Sequence, residues 1–161
     1  DGDAINIIFN LPATAQDATL QDAGGTSMSL VNNGVATFEN VTFDVNLATS
    51  VTINLGGGAD TLVIASINAA LAGTDALNIN GDADNDTIDI NVAVPAGTFA
   101  GGAGSDTLDL VGVSQNATVT ALDANGADGT TSGGESFTDI ETVTSSGTAD
   151  LTVRTPPRAG H

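Results

Sequence analysis

The chain has 161 residues, 40% of them apolar, and sets twenty acidic residues against two basic ones for a formal net charge of −18. That balance excludes nucleic acid as a partner, because phosphate binding needs Lys or Arg, and it argues equally against an anionic membrane surface; cations are the natural partners. The absence of cysteine removes disulfides and thiolate metal sites, and no apolar run is long enough for a membrane-spanning helix.

In chain order, Asp1 opens directly into DGDAINIIFN with no signal peptide in view; if the protein is secreted, this is a mature chain or an excised piece. GDAINIIFNLPATAQDATL (2–20) follows, and TFENVTFDV (37–45) brings Phe38 and Phe43, expected in the core or stacked between layers. Alternation with period two then dominates, through Val51, Ile53 and Leu55, Leu62 and Ile64, Leu77 and Ile79, Ile88 to Val94, and Leu108 and Leu110. These are strand signals, punctuated by Gly, Asn and Asp clusters. The one helical candidate is ASINAALAG (65–73), a turn or two ended by Gly73 and read as an insertion between strands. Asn54, Asn78 and Asn80 sit before the turns, where identical amides can ladder from layer to layer. DANGADG (123–129) reads as a solvated loop, with Asp123 and Asp128 facing water. SFTDIETVT (136–144) places Phe137 in the core. The tail RTPPRAGH (154–161) holds both arginines, the sole His and two adjacent prolines that cannot continue a ladder, so it is expected to be a linker or exposed end.

Three stretches share one phase: GGGADTLVI (56–64), GDADNDTIDI (81–90) and GGAGSDTLDL (101–110). Their aspartates, Asp60, Asp86 and Asp106, fall 26 and 20 residues apart, and the six extra residues of the first interval match the insertion at 65–73. Fixed-phase repetition at this period predicts a solenoid whose turns bury their apolar side only against neighbours. A longer period also shows, since TFENVTFDV resembles SFTDIETVT with Phe38 and Phe137 99 residues apart, and GTADLTV (147–153) resembles GGADTLVI. Residues 1–153 therefore read as about one and a half copies of a unit of roughly a hundred residues, beginning and ending mid-unit.

Seventeen of the twenty acids are Asp. A merely solubilising surface would use Glu as readily. Asp is the shorter acid, favours turns and ligates hard metals from tight loops. On a solenoid the equivalent residues of successive turns stack about 4.8 Å apart. Two carboxylates at that distance repel by roughly 1 kcal/mol even in water. Calcium between the turns would reverse the sign, taking oxygens from carboxylates and from backbone carbonyls that glycine lets the turn direct inward. Asp106, Leu108 and Leu110 share one parity, so the metal side and the core side agree. The alternative for Asp60, Asp86 and Asp106 is a side chain that caps its own turn with no metal.

GGAGSDTLD (101–109) matches position for position the G-G-x-G-x-D-x-U-x nonapeptide of RTX calcium-binding repeats. GDADNDTID (81–89) matches with Asp82 and Asp84 in two glycine positions, and GGGAD (56–60) matches in part, with Leu55 where the first glycine belongs. RTX repeats run in unbroken tandem, whereas these lie twenty or more residues apart, so the chain more closely resembles the RTX-like β-helical repeats of giant bacterial surface proteins and adhesins. The resemblance implies an all-β, right-handed parallel β-solenoid (β-helix) with Gly/Asp turns, secretion to the extracellular space or cell surface, and Ca2+ held at Asp60, Asp82, Asp84, Asp86, Gly102, Gly104 and Asp106. The middle turn, with three carboxylates, is the best expected site.

The expected role is a non-catalytic building block of an extracellular fibre, surface layer or adhesin stalk. It would self-assemble head-to-tail through the solenoid ends, Asp1–Phe9 meeting Leu151–Val153 of a neighbour, with a cell-surface glycan as a further partner. The alternative is a calcium-binding, polysaccharide-binding accessory module of a secreted enzyme. Catalysis finds little support: the one His, His161, ends the chain, and GGGAD lacks the Lys of a phosphate loop. A lyase would be expected to add a basic residue to the acids of its cleft, and both arginines lie in the tail. A threonine-based ice-binding face, from Thr118/Thr120 and Thr142/Thr144, is the least expected reading.

Overall fold

The computed structural model describes residues 5–34, 38–71, 76–145 and the backbone of 151–153. The expected tail at 154–161, the first four residues and Gly73 fall outside the described residues. The fold is all-β, with no helix among the described residues. Its strands are β1 (Ile5–Asn10), β2 (Asp17–Gly24), β3 (Ser27–Asn32), β4 (Val41–Asp44), β5 (Ala48–Asn54), β6 (Thr61–Ile64), β7 (Ala76–Asn80) and β8 (Thr87–Ile90), then β9 (Thr98–Ala100), β10 (Thr107–Asp109), β11 (Ala117–Asp123), β12 (Gly126–Thr131), β13 (Ser136–Ile140), β14 (Thr142–Thr144) and β15 (Leu151–Val153).

These strands form two mixed sheets, and neither closes on itself. One is 8-stranded in the order β1-β5-β7-β9-β13-β12-β11-β15, the other 7-stranded in the order β14-β10-β8-β6-β2-β3-β4. From β4 to β11 the chain changes sheet at every strand, so β5, β7 and β9 stack in parallel in one sheet and β6, β8 and β10 in the other. The registers put like on like. Ile53 pairs with Ile79, Ile79 with Phe99 and Phe99 with Phe137; Leu62 pairs with Ile88, Ile88 with Leu108 and Leu108 with Val143. Period-two alternation turns these columns inward, where nearly all of them are fully buried. Each strand is short, so apolar stabilisation comes from neighbours above and below.

The expectation of parallel pairing holds for the stacked strands but not for the whole chain. Two antiparallel meanders interrupt it, β2-β3-β4 and β11-β12-β13. Each begins with a hairpin turned by two residues, Gly25-Thr26 and Ala124-Asn125. Gly25 has positive φ within the first turn, and Gly24 and Gly126, each the strand residue next to a turn, have it beside the first and second. DANGADG is therefore a hairpin and not a free loop. The two hairpins share one register 99 residues apart, Ala18 pairing with Asn32 as Ala117 pairs with Thr131. In each case the flanking strands, β1 and β5 or β10 and β14, pair in parallel in the other sheet. The third meander strand slips against that period: Leu30 faces Val41 where Gly129 faces Phe137, so Phe137 takes the place of Val41 and not of Phe38. Gly129 makes room for the Phe137 ring, which a Cβ would meet at 2.4 Å.

The insertion between β6 and β7 is not helical over its described part, which has a single turn closed by the Leu71 N–H on the Asn68 carbonyl. Asn68 is buried and donates to the Asp22 carboxylate and the Gly25 carbonyl, docking the insertion on the β2–β3 hairpin. That tertiary anchor outweighs the weak helix propensity of so short a segment.

Candidate functional site: a file of buried aspartates

Asp60, Asp86 and Asp106 each sit immediately before a strand of the second sheet, at the point where the turn enters the core. Parallel in-register stacking of β6, β8 and β10 brings them into one file. All three are buried, at 2%, 2% and 1% exposure. One oxygen of each carboxylate is engaged by the backbone of the adjoining layer. The Gln16 N–H donates to Asp60 Oδ1 at 2.5 Å, the Asp60 N–H to Asp86 Oδ1 at 2.8 Å, and the Asp86 N–H to Asp106 Oδ1 at 2.8 Å. The Asp106 N–H donates in turn to Glu141 Oε2 at 2.6 Å. The side chains thus clip each layer to the next along the file.

The second oxygen is different. Oδ2 of Asp60, of Asp86 and of Asp106 is buried without a hydrogen-bond partner. Two of these oxygens face a second oxygen across a glycine. A Cβ on Gly81 would lie 2.5 Å from Asp86 Oδ2 and 2.3 Å from the Gly101 carbonyl oxygen. One on Gly101 would lie 2.6 Å from Asp106 Oδ2 and 2.1 Å from the Asp139 carbonyl oxygen. Each glycine therefore leaves open a cradle of one carboxylate and one carbonyl oxygen. In the first turn the equivalent position is Leu55, whose side chain is in the core.

Electrostatics follow from burial. Loss of water pushes the Asp86 carboxyl up to about 7, against relief from the Asp60 N–H and with further upward pressure from Asp60, Asp106 and Asp84. The same cause pushes Asp60 up to about 6, with the Gln16 N–H opposing and Asp84 adding to the rise. Asp106 is raised by burial first and then by Glu141 and Asp139.

The other expected ligands lie elsewhere. Asp82 and Asp84 occupy the exposed tip of the middle turn, so its three carboxylates do not converge. The reason is backbone conformation: Asp82 and Asp84 adopt φ of 74° and 75°, which directs the chain through a left-handed path that Gly56, Gly58 and Gly102 also follow. Asp84 instead accepts from the Gly58 N–H at 3.0 Å. Gly102 and Gly104 are required by close stacking, since a Cβ would come within 2.5 Å of the Asp82 carbonyl oxygen and 1.9 Å of that of Asp84. Among the described residues no group of three or more acidic or imidazole side chains is placed to hold one ion. A cation at the file would draw on one or two carboxylates and on backbone carbonyls. Such an all-oxygen set is the chemistry of calcium, and the orphaned Oδ2 atoms and glycine cradles fit it.

Two members of the file were not foreseen: Gln16 at one end and Glu141 at the other. Glu141 was readable, because ETV (141–143) repeats the acid-Thr-apolar pattern of DTL and DTI with Glu for Asp. Gln16 could be found only from register, since Asp17 pairs with Thr61. The expected asparagine ladder is present with one member changed, Asn10 taking part and Asn78 not: Asn80 donates to Asn54 and Asn54 to Asn10, each at 2.6 Å. Asn78 instead accepts from the Thr98 N–H.

No protein-family model, curated protein or solved structure matches this chain. The RTX-like resemblance therefore rests on the quoted turns alone.

Proposed function

We propose that residues 1–153 form one right-handed parallel β-solenoid module with antiparallel meanders inserted in it. Its role is structural: an extracellular or cell-surface building block of a fibre, surface layer or adhesin stalk, non-catalytic and stabilised by Ca2+ at the aspartate file. The observation that carries this reading is the row of buried, unpartnered carboxylate oxygens in Asp60, Asp86 and Asp106. Buried charge persists only if it is paired, coordinated or neutralised by a proton. On the calcium reading Asp86 and Asp106 are the principal ligands, with the Gly101 and Asp139 carbonyls beside them. The ion would supply the missing positive charge and lock one layer to the next. Assembly would run head-to-tail, with the free edge of β1 meeting β15 of a neighbouring copy; both strands are edges of one sheet. The test is calcium titration of chelator-treated protein, followed by thermal melting and light scattering. A rise in Tm together with growth of scattering, both reversed by chelator and both absent in Asp86→Asn, is the expected result. No change in either up to millimolar calcium overturns the reading.

A further inference from the structure

The second antiparallel meander holds a buried acid that takes no part in the aspartate file. Glu135 sits just before β13 and is 1% exposed. The described residues include no Lys, Arg or His to pair with it, and its Oε1 is buried without a hydrogen-bond partner. A tight turn folds it back on β12: the Thr131 N–H donates to the Glu135 carbonyl at 2.9 Å and the Gly134 N–H to the Thr131 carbonyl at 3.2 Å. The Thr131 hydroxyl, also buried, donates to Glu135 Oε2. The third member is Gln115, buried two residues before Ala117, which is the register partner of Thr131. A Cβ on Gly133 would lie 2.4 Å from Gln115 Nε2 and 2.6 Å and 2.7 Å from the two Glu135 oxygens, so a glycine there lets amide and carboxylate meet. The first meander makes the same hairpin register without this set. It keeps the glutamine and the glycine, as Gln16 and Gly34, but has Asn32 in place of Thr131, and VATF follows Gly34 with no acid. The second copy therefore adds a hydroxyl and a carboxylate beside the same amide.

We infer that Thr131, Glu135 and Gln115 form a self-acting site that joins the Thr131 and Gln115 side chains by an ester. A hydroxyl bonded to a buried carboxylate is the arrangement of a nucleophile and its general base, and the carboxamide is the acyl donor. Burial pushes the Glu135 carboxyl up, against its own backbone N–H and the Gln115 amide, and so makes the ionised form a stronger proton acceptor. In the step, Thr131 Oγ1 adds to Gln115 Cδ while its proton passes to Glu135 Oε2. That proton goes on to Nε2, and the C–N bond breaks. One C–O bond forms, ammonia leaves, Glu135 ends as it began, and nothing is oxidised or reduced. Groups held side by side in one fold react at a high effective concentration. Ser132, Gly133 and Gly134 are exposed, which gives ammonia a short way out, while burial of the three reacting side chains keeps water from the ester. The product is a covalent tie at the open end of the β11–β12 hairpin, and it does not depend on calcium.

Intact-mass spectrometry of the full chain, kept folded at neutral to mildly alkaline pH for several days, tests it. The expected mass is about 17 Da below that of the sequence, the loss of one ammonia. Cleavage before aspartates should then yield the fragment 109–122 joined to 128–138, and hydroxylamine should separate the two. Thr131→Val and Glu135→Gln, each with an unchanged circular-dichroism spectrum, are expected to keep the full mass, whereas Thr131→Ser should still lose ammonia. The cross-linked chain should melt several degrees above Thr131→Val. The joined fragment in the parent chain supports the inference even where a variant does not fold. A parent of full mass, with no joined fragment, overturns it. So does a loss of the same size that persists in Thr131→Val, which is succinimide formation at Asn33-Gly34 or Asn125-Gly126.

Discussion

At the scale of single residues, the aspartates of the file are built for strength in one oxygen and deficiency in the other. Oδ1 takes a backbone N–H from the adjoining layer, and Oδ2 has nothing. Asp86→Asn keeps the acceptor for the Asp60 N–H and turns an amide toward the Gly101 carbonyl. Metal-free, at pH 8, the variant should be more stable than the parent by on the order of 2 kcal/mol, because it removes an uncompensated buried charge; chemical denaturation checks this. The pH dependence has a definite sign. Asp60 and Asp86 move from an ordinary value of 3.8 to about 6 and about 7. Between about pH 4 and 7 the folded chain therefore holds more protons than the unfolded chain, and metal-free stability falls as pH rises through that window. The Tm in chelator should be highest near pH 4–5 and lower at pH 8, with a flatter profile in Asp86→Asn. A flat parental profile would contradict the burial of these groups. Gly101→Ala should cost about 3 kcal/mol or prevent folding, since its Cβ would meet the Asp139 carbonyl and Asp106 Oδ2.

Among the elements, the stacked strands were legible and the meanders were not. The strands β5, β6, β7, β8 and β10 announce themselves by alternation, and β6, β8 and β10 also by the repeated Asp-Thr-Leu/Ile entry; the alternation of Ile88 to Val94 overruns β8, which ends at Ile90, and the three-residue β9 was not legible, having one inward residue, Phe99, and so no alternation to show. The antiparallel hairpins required attention to AGG (23–25) and ANG (124–126), turn signals that composition alone assigns to loops. The three-carboxylate middle site failed for a related reason. Spacing identifies which residues share a turn, but φ decides which of them face inward, and Asp82 and Asp84 adopt glycine's backbone with an acid's side chain. The asparagine ladder was readable because identical residues in register have one obvious partner. Asn54→Ala removes its central member, which bonds Asn10 on one side and Asn80 on the other. It should lower unfolding free energy by roughly 1–2 kcal/mol, by denaturant titration, without affecting calcium binding.

For the whole molecule, apolar columns run beside a file of buried carboxylates. On the proposed calcium reading, protons and the cation would compete for the same Oδ2 atoms, so calcium affinity should rise with pH through the range in which Asp60 and Asp86 lose their protons. The molecule would then be soft in chelator at neutral pH and firm either in acid or in calcium. The most direct measurement is isothermal titration of calcium into chelator-treated protein at pH 6 and pH 7.5, in two buffers of different ionisation enthalpy. Saturable binding, tighter at pH 7.5, with proton release at pH 6 and loss of both in Asp86→Asn, is the predicted outcome. Absence of binding at either pH, or binding that Asp86→Asn leaves unchanged, would contradict a cation-stabilised aspartate file.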